Sequence, residues 1–202
     1  LTLVNEKTRH PALPPGAEAG VIKGMYCLRR GEADAGRPHV QLFGSGSILN
    51  QSLAAAELLA IEFGVTSDVW SITSYSELRR EGLEVERWNR LHPMAEQRSC
   101  FVEDSLSTCK GPVVAGTDYM KAVADQIRPF VTDRRYVVLG TDGFGRSDTR
   151  EALRSFFEVD RHHIVLAALK ALADDGSIPV SEVARAIALY AIDPGARSAA
   201  PP

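Results

Sequence analysis

Two glycine-rich strings hold the residue types that could do chemistry. The first, Gly44-Ser45-Gly46-Ser47, lies between a short apolar run and a long segment rich in alanine and leucine. Exposed backbone N–H groups at such a helix start can cradle a phosphate. A dinucleotide fingerprint also needs a third glycine and an acid closing the next strand. Here Leu49 stands at the glycine position, and Ser74-Tyr75-Ser76 precede the first acid, Glu77. The string reads first as a tight turn, with a nucleotide-binding α/β protein as the alternative. The second string, Thr141 to Asp148 (TDGFGRSD), follows an apolar run and precedes a helical pattern, where α/β proteins place functional loops. Its Asp142-Gly143 pair could open a magnesium and diphosphate motif. Such a motif closes with an asparagine oxygen further on, and this chain has no asparagine after Asn89. The loop is therefore expected to be a turn and interface element through Asp142, Phe144, Arg146 and Ser147, with Arg146 paired to an acid. No catalytic, cofactor-binding or metal-ligating residue is assigned.

Reactive side chains elsewhere are scattered. His162 and His163 are adjacent, so on a helix they point different ways and cannot chelate one metal as an i, i+4 pair would. His92 precedes Pro93 in a turn, and each histidine is expected to be structural. There is no Ser-His-Asp set and no GxSxG elbow. Cys27, Cys100 and Cys109 form no CxxC pair and are odd in number. That argues against a disulfide framework or a zinc site and for a reducing, cytoplasmic setting. Cys27, in an apolar run, is expected to be a small buried residue.

The elements that must position these strings follow from periodicity. Val40 to Phe43 reads as a strand and the segment up to Phe63 as a helix, with Leu49, Leu53, Ala56, Ala60 and Phe63 on its buried face. Val69 to Ile72 is the next strand, so the stretch is one βαβ unit and predicts a parallel sheet. Val113 to Ala115 and Tyr136 to Leu139 read as further strands. Between them Met120, Val123, Ile127 and Phe130 share a helix face that Thr117 or Asp118 can cap. Val21 to Leu28 is expected to be a strand interrupted by Gly24. Thr73 to Arg80 is expected to be a loop, and Leu83 to Leu91 a short helix ending at His92-Pro93. The charges from Glu77 to Arg90 read as solvated and ion-paired. Cys100 to Val102 reads as strand and Glu103 to Lys110 as loop. Asp148 is expected to cap a helix from about Thr149. Asp160 caps one burying Val165, Ala168, Leu169 and Leu172, and Ser181 caps one with Val183, Ile187 and Tyr190 on one face. Residues 1–20 read as a linker with a strand remnant at Leu1 to Val4, stiffened by Pro11, Pro14 and Pro15. Residues 193–202 read as a disordered tail. The unit 21–192 is then expected to be a three-layer α/β/α sandwich with a mostly parallel sheet.

Composition narrows the function classes. The 202 residues are 45% hydrophobic and 24% charged, ordinary for a globular chain. A net charge of −3 gives no steering toward nucleic acid or an anionic membrane. No apolar run approaches the ~20 residues of a membrane helix. The absent starting Met suggests a fragment or a processed product.

Longer strings carry a resemblance. LTLVNEKTRHPALPPGAEAGVIKGMY, QLFGSGSIL, WNRLHP, GTDYM and above all VLGTDGFGRSDTREALRSFFEVD occur in this order over about residues 1 to 192. The chain resembles the C-terminal end of the homodimeric bacterial pyruvate dehydrogenase decarboxylase family. That family is the thiamine-diphosphate component of the pyruvate dehydrogenase complex. The resemblance implies a transketolase-type C-terminal domain, the third of three α/β domains in each family chain. It also implies the family reaction, in which pyruvate is oxidatively decarboxylated and the acetyl unit passes to a lipoyl group. The diphosphate and magnesium motif, the activating glutamate and the principal catalytic histidines lie upstream in the family and have no counterpart here. No catalytic residue is carried over, and neither thiamine diphosphate nor magnesium is expected to bind this segment alone. The implied partners are the upstream domains, a second identical chain and, through the parent enzyme, the dihydrolipoyl acetyltransferase. Residues 94–111 depart from the family pattern. The alternative to a fragment is a stand-alone interaction module docking onto a full-length decarboxylase.

Overall fold

The computed structural model describes residues 10–32, 36–196 and 199. Helix α1 (Glu18–Lys23) leads into β1 (Met25–Arg29). The βαβ unit follows as β2 (His39–Gly44), α2 (Leu49–Phe63) and β3 (Thr66–Ile72), with a 3-10 turn at Gly46–Ile48. Helices α3 (Tyr75–Leu91) and α4 (Phe101–Leu106) precede β4 (Val113–Gly116). Then come α5 (Lys121–Asp125), β5 (Tyr136–Leu139), α6 (Arg150–Phe156), α7 (Arg161–Asp174) and α8 (Ser181–Leu189).

The strands lie in the order β1-β3-β2-β4-β5. Only β1 runs antiparallel, at the edge beside β3. Strands β3, β2, β4 and β5 are parallel. The strands alternate their side chains between two cores, because successive residues point to opposite faces. Val40, Leu42, Val69 and Val114 meet α2, α7 and α8 through Leu59, Leu169 and Val183. Phe43, Trp70, Val113 and Ala115 meet α3, α4 and α5 through Leu78, Val102 and Ala124. This is the expected three-layer α/β/α sandwich with a mostly parallel sheet.

Several local expectations are corrected. Val21 to Leu28 is not one strand: Gly24 closes α1 with its N–H on the Gly20 carbonyl and turns the chain at φ 108° into β1. A Cβ at that glycine would stand 2.6 Å from the Ser74 carbonyl oxygen, so the packing of β1 on the following turn demands glycine there. Thr73 to Arg80 is not a loop. Ser74 accepts from the Glu77 amide at 3.1 Å and starts α3 seventeen residues long. Arg80 bridges Glu77 and Glu84 on its outer face, as the charge pattern suggests. Cys100 to Val102 is not strand and Glu103 to Lys110 is not all loop. Glu103 reaches back to the Cys100 amide at 2.8 Å, and the Glu81 carboxylate of α3 takes the Phe101 amide, so α4 begins there.

The face of α2 is also turned by about one residue. Leu49, Ser52, Ala55, Ala56 and Leu59 are buried, whereas Leu53 and Phe63 are half-buried and Ala60 is exposed. Ser52 fits the inner face because its hydroxyl returns to the Ile48 carbonyl. Asp160 caps α7 as expected, accepting from the His163 amide at 2.9 Å. Ser181 does not cap α8 but is its first residue. Cys27 is half-buried rather than buried. The strand remnant at Leu1 to Val4 lies outside the described residues, as do Arg197, Ser198 and residues 200–202 of the tail.

Candidate functional site

The order β3-β2-β4-β5 has one consequence for function. The chain leaves β2 toward β3 on one side and leaves β4 toward β5 on the other. Such a reversal opens a crevice beyond the carboxyl ends of the two middle strands, where open α/β sheets bind ligands. Three loops meet there: Gly44 to Ser47 after β2, Thr117 to Met120 after β4, and Gly140 to Asp148 after β5.

Hydrogen bonds stitch these loops together. Ser45 donates its amide to the Gly116 carbonyl at 3.2 Å and its hydroxyl to Thr117 Oγ1 at 2.9 Å. Ser47 donates to Asp118 Oδ2 at 3.2 Å. Thr141 donates its hydroxyl to the Asp118 carbonyl at 2.8 Å and its amide to the Tyr119 carbonyl at 2.9 Å. Gly140 is required at this crossing, since a Cβ would lie 2.7 Å from the Tyr119 carbonyl oxygen.

The four expected interface residues separate into two kinds. Asp142 faces inward: its Oδ1 accepts the Lys121 amide at 2.8 Å and caps α5 from across the crevice. This corrects Thr117 and Asp118 as caps, for Met120 occupies the cap position with no side-chain bond of its own. Phe144 points to solvent at 86% exposure, and Ser147 is exposed. Arg146 does not pair with an acid among the described residues. Its guanidinium lies 4.2 Å over the Phe156 ring, a cation–π contact. The cap of α6 is Thr149, which accepts from the Ala152 amide at 3.3 Å. Asp148 instead accepts from the Thr149 amide at 2.7 Å.

The Gly44 to Ser47 turn faces a carboxylate. A Cβ at Gly46 would meet Asp118 Oδ1 at 3.0 Å, so the turn's backbone looks onto negative charge, a poor setting for a phosphate. In the other string, Asp142 spends Oδ1 on the α5 amide. No group of three or more His, Cys, Asp or Glu side chains that could hold a metal occurs among the described residues.

The opposite, amino end of the sheet holds a polar cluster that periodicity did not reveal. His39 opposes Thr66 in the β2–β3 register, and its Nδ1 lies 2.7 Å from Thr66 Oγ1. Its Nε2 lies 3.3 Å from the buried Asp68 carboxylate. Arg30 Nη1 and the Gly31 amide also reach Asp68, at 3.0 and 2.9 Å. Burial alone would raise the Asp68 pKa, but the bonds from His39 and Gly31 outweigh it and hold the carboxyl at about 2. Buried Gln41 completes the layer, donating to the Lys110 carbonyl and accepting from the Trp70 indole. Each of these groups is used to satisfy another, which is structural work. The signal was absent from the sequence because it exists only once β2 and β3 are in register.

The remaining histidines divide similarly. His163 bonds to Asp160, while His162 stacks on Tyr190 at 4.4 Å, so the adjacent pair does diverge. His92 stacks on Trp88 at 4.4 Å.

The comparisons with known proteins agree with this architecture. A family model described as the transketolase-like TK C-terminal domain matches residues 24–160, and the chain belongs to that family. The pyruvate dehydrogenase E1 component of Pseudomonas aeruginosa is 57% identical over 198 residues, which are 98% of this chain and 22% of that protein. The E1 component of Escherichia coli K12 is 50% identical over 193 residues, 96% of this chain and 21% of that protein. The chain is thus homologous to a segment of these enzymes and spans about a fifth of their length. A transketolase from Campylobacter jejuni shares the fold, with a TM-score of 0.51 and 19% identity over 80% of this chain and 20% of that one. No helix among the described residues is long and apolar enough to cross a membrane.

Proposed function

We propose that this chain, with its domain at residues 21–192, is the C-terminal domain of a cytoplasmic pyruvate dehydrogenase decarboxylase and is inert by itself. The parent enzyme oxidatively decarboxylates pyruvate and passes the acetyl unit to a lipoyl group of the acetyltransferase component. Thiamine diphosphate, held with magnesium by upstream domains, supplies the electron sink for loss of carbon dioxide. The observation that carries the reading is 57% identity along 98% of the chain to one segment of such an enzyme. The inward use of Asp142 as a helix cap supports a scaffold role for the TDGFGRSD loop. In that role the domain holds two chains around the reacting centre, where a small misplacement costs large factors in rate. The exposed Phe144 of that loop and exposed Met120 of the neighbouring loop form the face that meets the upstream domains or the second chain.

The test is complementation. The purified chain is expected to show no pyruvate decarboxylation with thiamine diphosphate and magnesium. Co-expressed with a Pseudomonas aeruginosa E1 component truncated before the matched segment, it is expected to restore a dimer and pyruvate-dependent activity. Turnover by the chain alone, or a truncated E1 component that is fully active without it, would overturn the proposal.

A further inference from the structure

Two of the three thiols gather with Arg30 beside the Asp68 cluster. Cys27 lies on the edge strand β1, where it opposes Trp70 of β3. Cys109 lies in the connection from α4 to β4. Both pack against the core that the sheet shares with α3, α4 and α5. Arg30 joins them. Its guanidinium lies over the Trp70 ring, 5.1 Å from the centre. Its Nη1 donates to Cys109 Sγ at 3.4 Å and to Asp68 Oδ2 at 3.0 Å. The Asp68 carboxylate offsets part of the positive charge and, being buried, fixes where the guanidinium sits. The Cys109 sulfur accepts from that same nitrogen, so negative charge that develops on the sulfur is met by a cation.

The thiols are not equivalent. Burial pushes the Cys27 thiol up to about 11, against the pull of Arg30, and the charges of Asp68 and Cys109 add to the rise. Cys27 therefore keeps its proton at neutral pH, yet it lies close enough to Cys109 to feel that charge. Its hydrogen points to the Val69 carbonyl at 3.9 Å, while Cys109 donates its own to the Ser105 carbonyl at 3.6 Å. Cys109 is half-buried between exposed Thr108 and Lys110, which gives a small oxidant a way in. Cys100 is 1% exposed, and burial pushes its thiol up to about 12, so it stands apart from this pair.

We propose that Cys109 and Cys27 form a peroxide-sensitive dithiol site, in which Cys109, held by Arg30, is oxidised first and Cys27 then closes a disulfide onto it. The Cys109 sulfur attacks one oxygen of a hydroperoxide and the O–O bond breaks. Cys109 becomes a sulfenic acid, and the other oxygen leaves with the thiol proton as water or an alcohol. The Cys27 sulfur then attacks the sulfenic sulfur. The S–O bond breaks, and the hydroxyl leaves with the Cys27 proton as water. The two thiols have together given two electrons to the peroxide. The bond ties the edge strand β1 to the α4–β4 connection and displaces Arg30 from Cys109, and excess thiol reverses it. The site uses this chain's own side chains and is independent of the decarboxylase reading.

The experiment treats the reduced 202-residue chain with a small excess of hydrogen peroxide, alkylates the remaining thiols in denaturant and maps the peptides without reduction. A Cys27–Cys109 crosslink within one chain is expected, reversed by dithiothreitol, with Cys100 recovered as an alkylated thiol. Cys100→Ser is expected to crosslink like the parent chain. In Cys27→Ser the sulfenic acid has no second thiol to meet, and dimedone is expected to label Cys109. In Cys109→Ser, Cys27 is expected to stay a free thiol. Arg30→Gln, with an unchanged circular dichroism spectrum, is expected to slow the crosslink about tenfold, and Arg30→Lys, which keeps the charge, to slow it less. Cys27 and Cys109 both recovered as free thiols would overturn the proposal. So would a crosslink that uses Cys100 or joins two chains instead, oxidation of Cys27 in Cys109→Ser at the parent rate, or crosslinking of Arg30→Gln at the parent rate.

Discussion

Asp68 shows how much a single carboxylate can owe to its neighbours. It is 5% exposed and accepts from His39, Arg30 and the Gly31 amide, and its pKa falls from 3.8 to about 2. The sign follows directly. A carboxyl depressed on folding contributes stability above its unfolded pKa and loses it as pH falls toward the folded value. Asp68→Asn is therefore expected to cost about 2 kcal/mol at neutral pH, with the difference from the parent chain shrinking between roughly pH 4 and pH 2. Urea unfolding at a series of pH values checks this. A variant penalty that stays constant from pH 7 to pH 2 would contradict the assignment. None of this was legible at the residue scale in the sequence. An aspartate between Ser67 and Val69 gives no sign that His39, far away along the chain, will stand 3.3 Å from it.

At the scale of elements, two helices depend on contacts from outside themselves. Helix α5 is only five residues long and has no side-chain cap of its own, so its amino end rests on Asp142. Asp142→Ala is expected to cost about 1 kcal/mol, the usual worth of a helix cap, and to raise amide exchange at Lys121 first. Exchange that is unchanged at Lys121 would show that the cap is dispensable. Helix α3 presents buried Gly82 to α5 and the following 3-10 turn, Arg128–Phe130. A Cβ there would sit 2.5 to 2.7 Å from the Phe130 ring. Gly82→Ala would gain helix propensity on an exposed helix, yet here it is expected to destabilise by about 1–3 kcal/mol through overpacking. The double variant Gly82→Ala with Phe130→Leu is expected to recover part of that loss, as a thermal-melt comparison would reveal. Periodicity could place α2 and α7 because their apolar steps are regular. It failed at the starts of α3 and α4, which are set by the Ser74 and Glu103 hydrogen bonds rather than by an apolar period.

For the molecule as a whole, the issue is which face would meet the proposed upstream domains or second chain. Phe144 is 86% exposed and Met120 is 58% exposed, on neighbouring loops joined by the Thr141 to Tyr119 bond. Phe144→Ser removes a side chain with little intramolecular burial. It is expected to leave the thermal midpoint within a degree or so of the parent chain, as surface changes usually do. It is also expected to reduce dimer restoration in the complementation experiment. Full restoration by the variant would move the contact face elsewhere.

Taken alone, the sequence determined the order and type of the four parallel strands, helices α2 and α7, the mostly parallel sheet, and the family. It could do so because hydrophobic period and contiguous strings are local properties of a chain. Which residues meet was decided by the tertiary structure. Ser47 and Asp118 lie 71 positions apart, and Ser47 and Arg154 lie 107 apart. They converge on one crevice only because β2 and β4 are neighbours while the chain leaves them in opposite directions. Strand order is a free-energy outcome of the whole packed sandwich, and no segment short enough to show a period contains it.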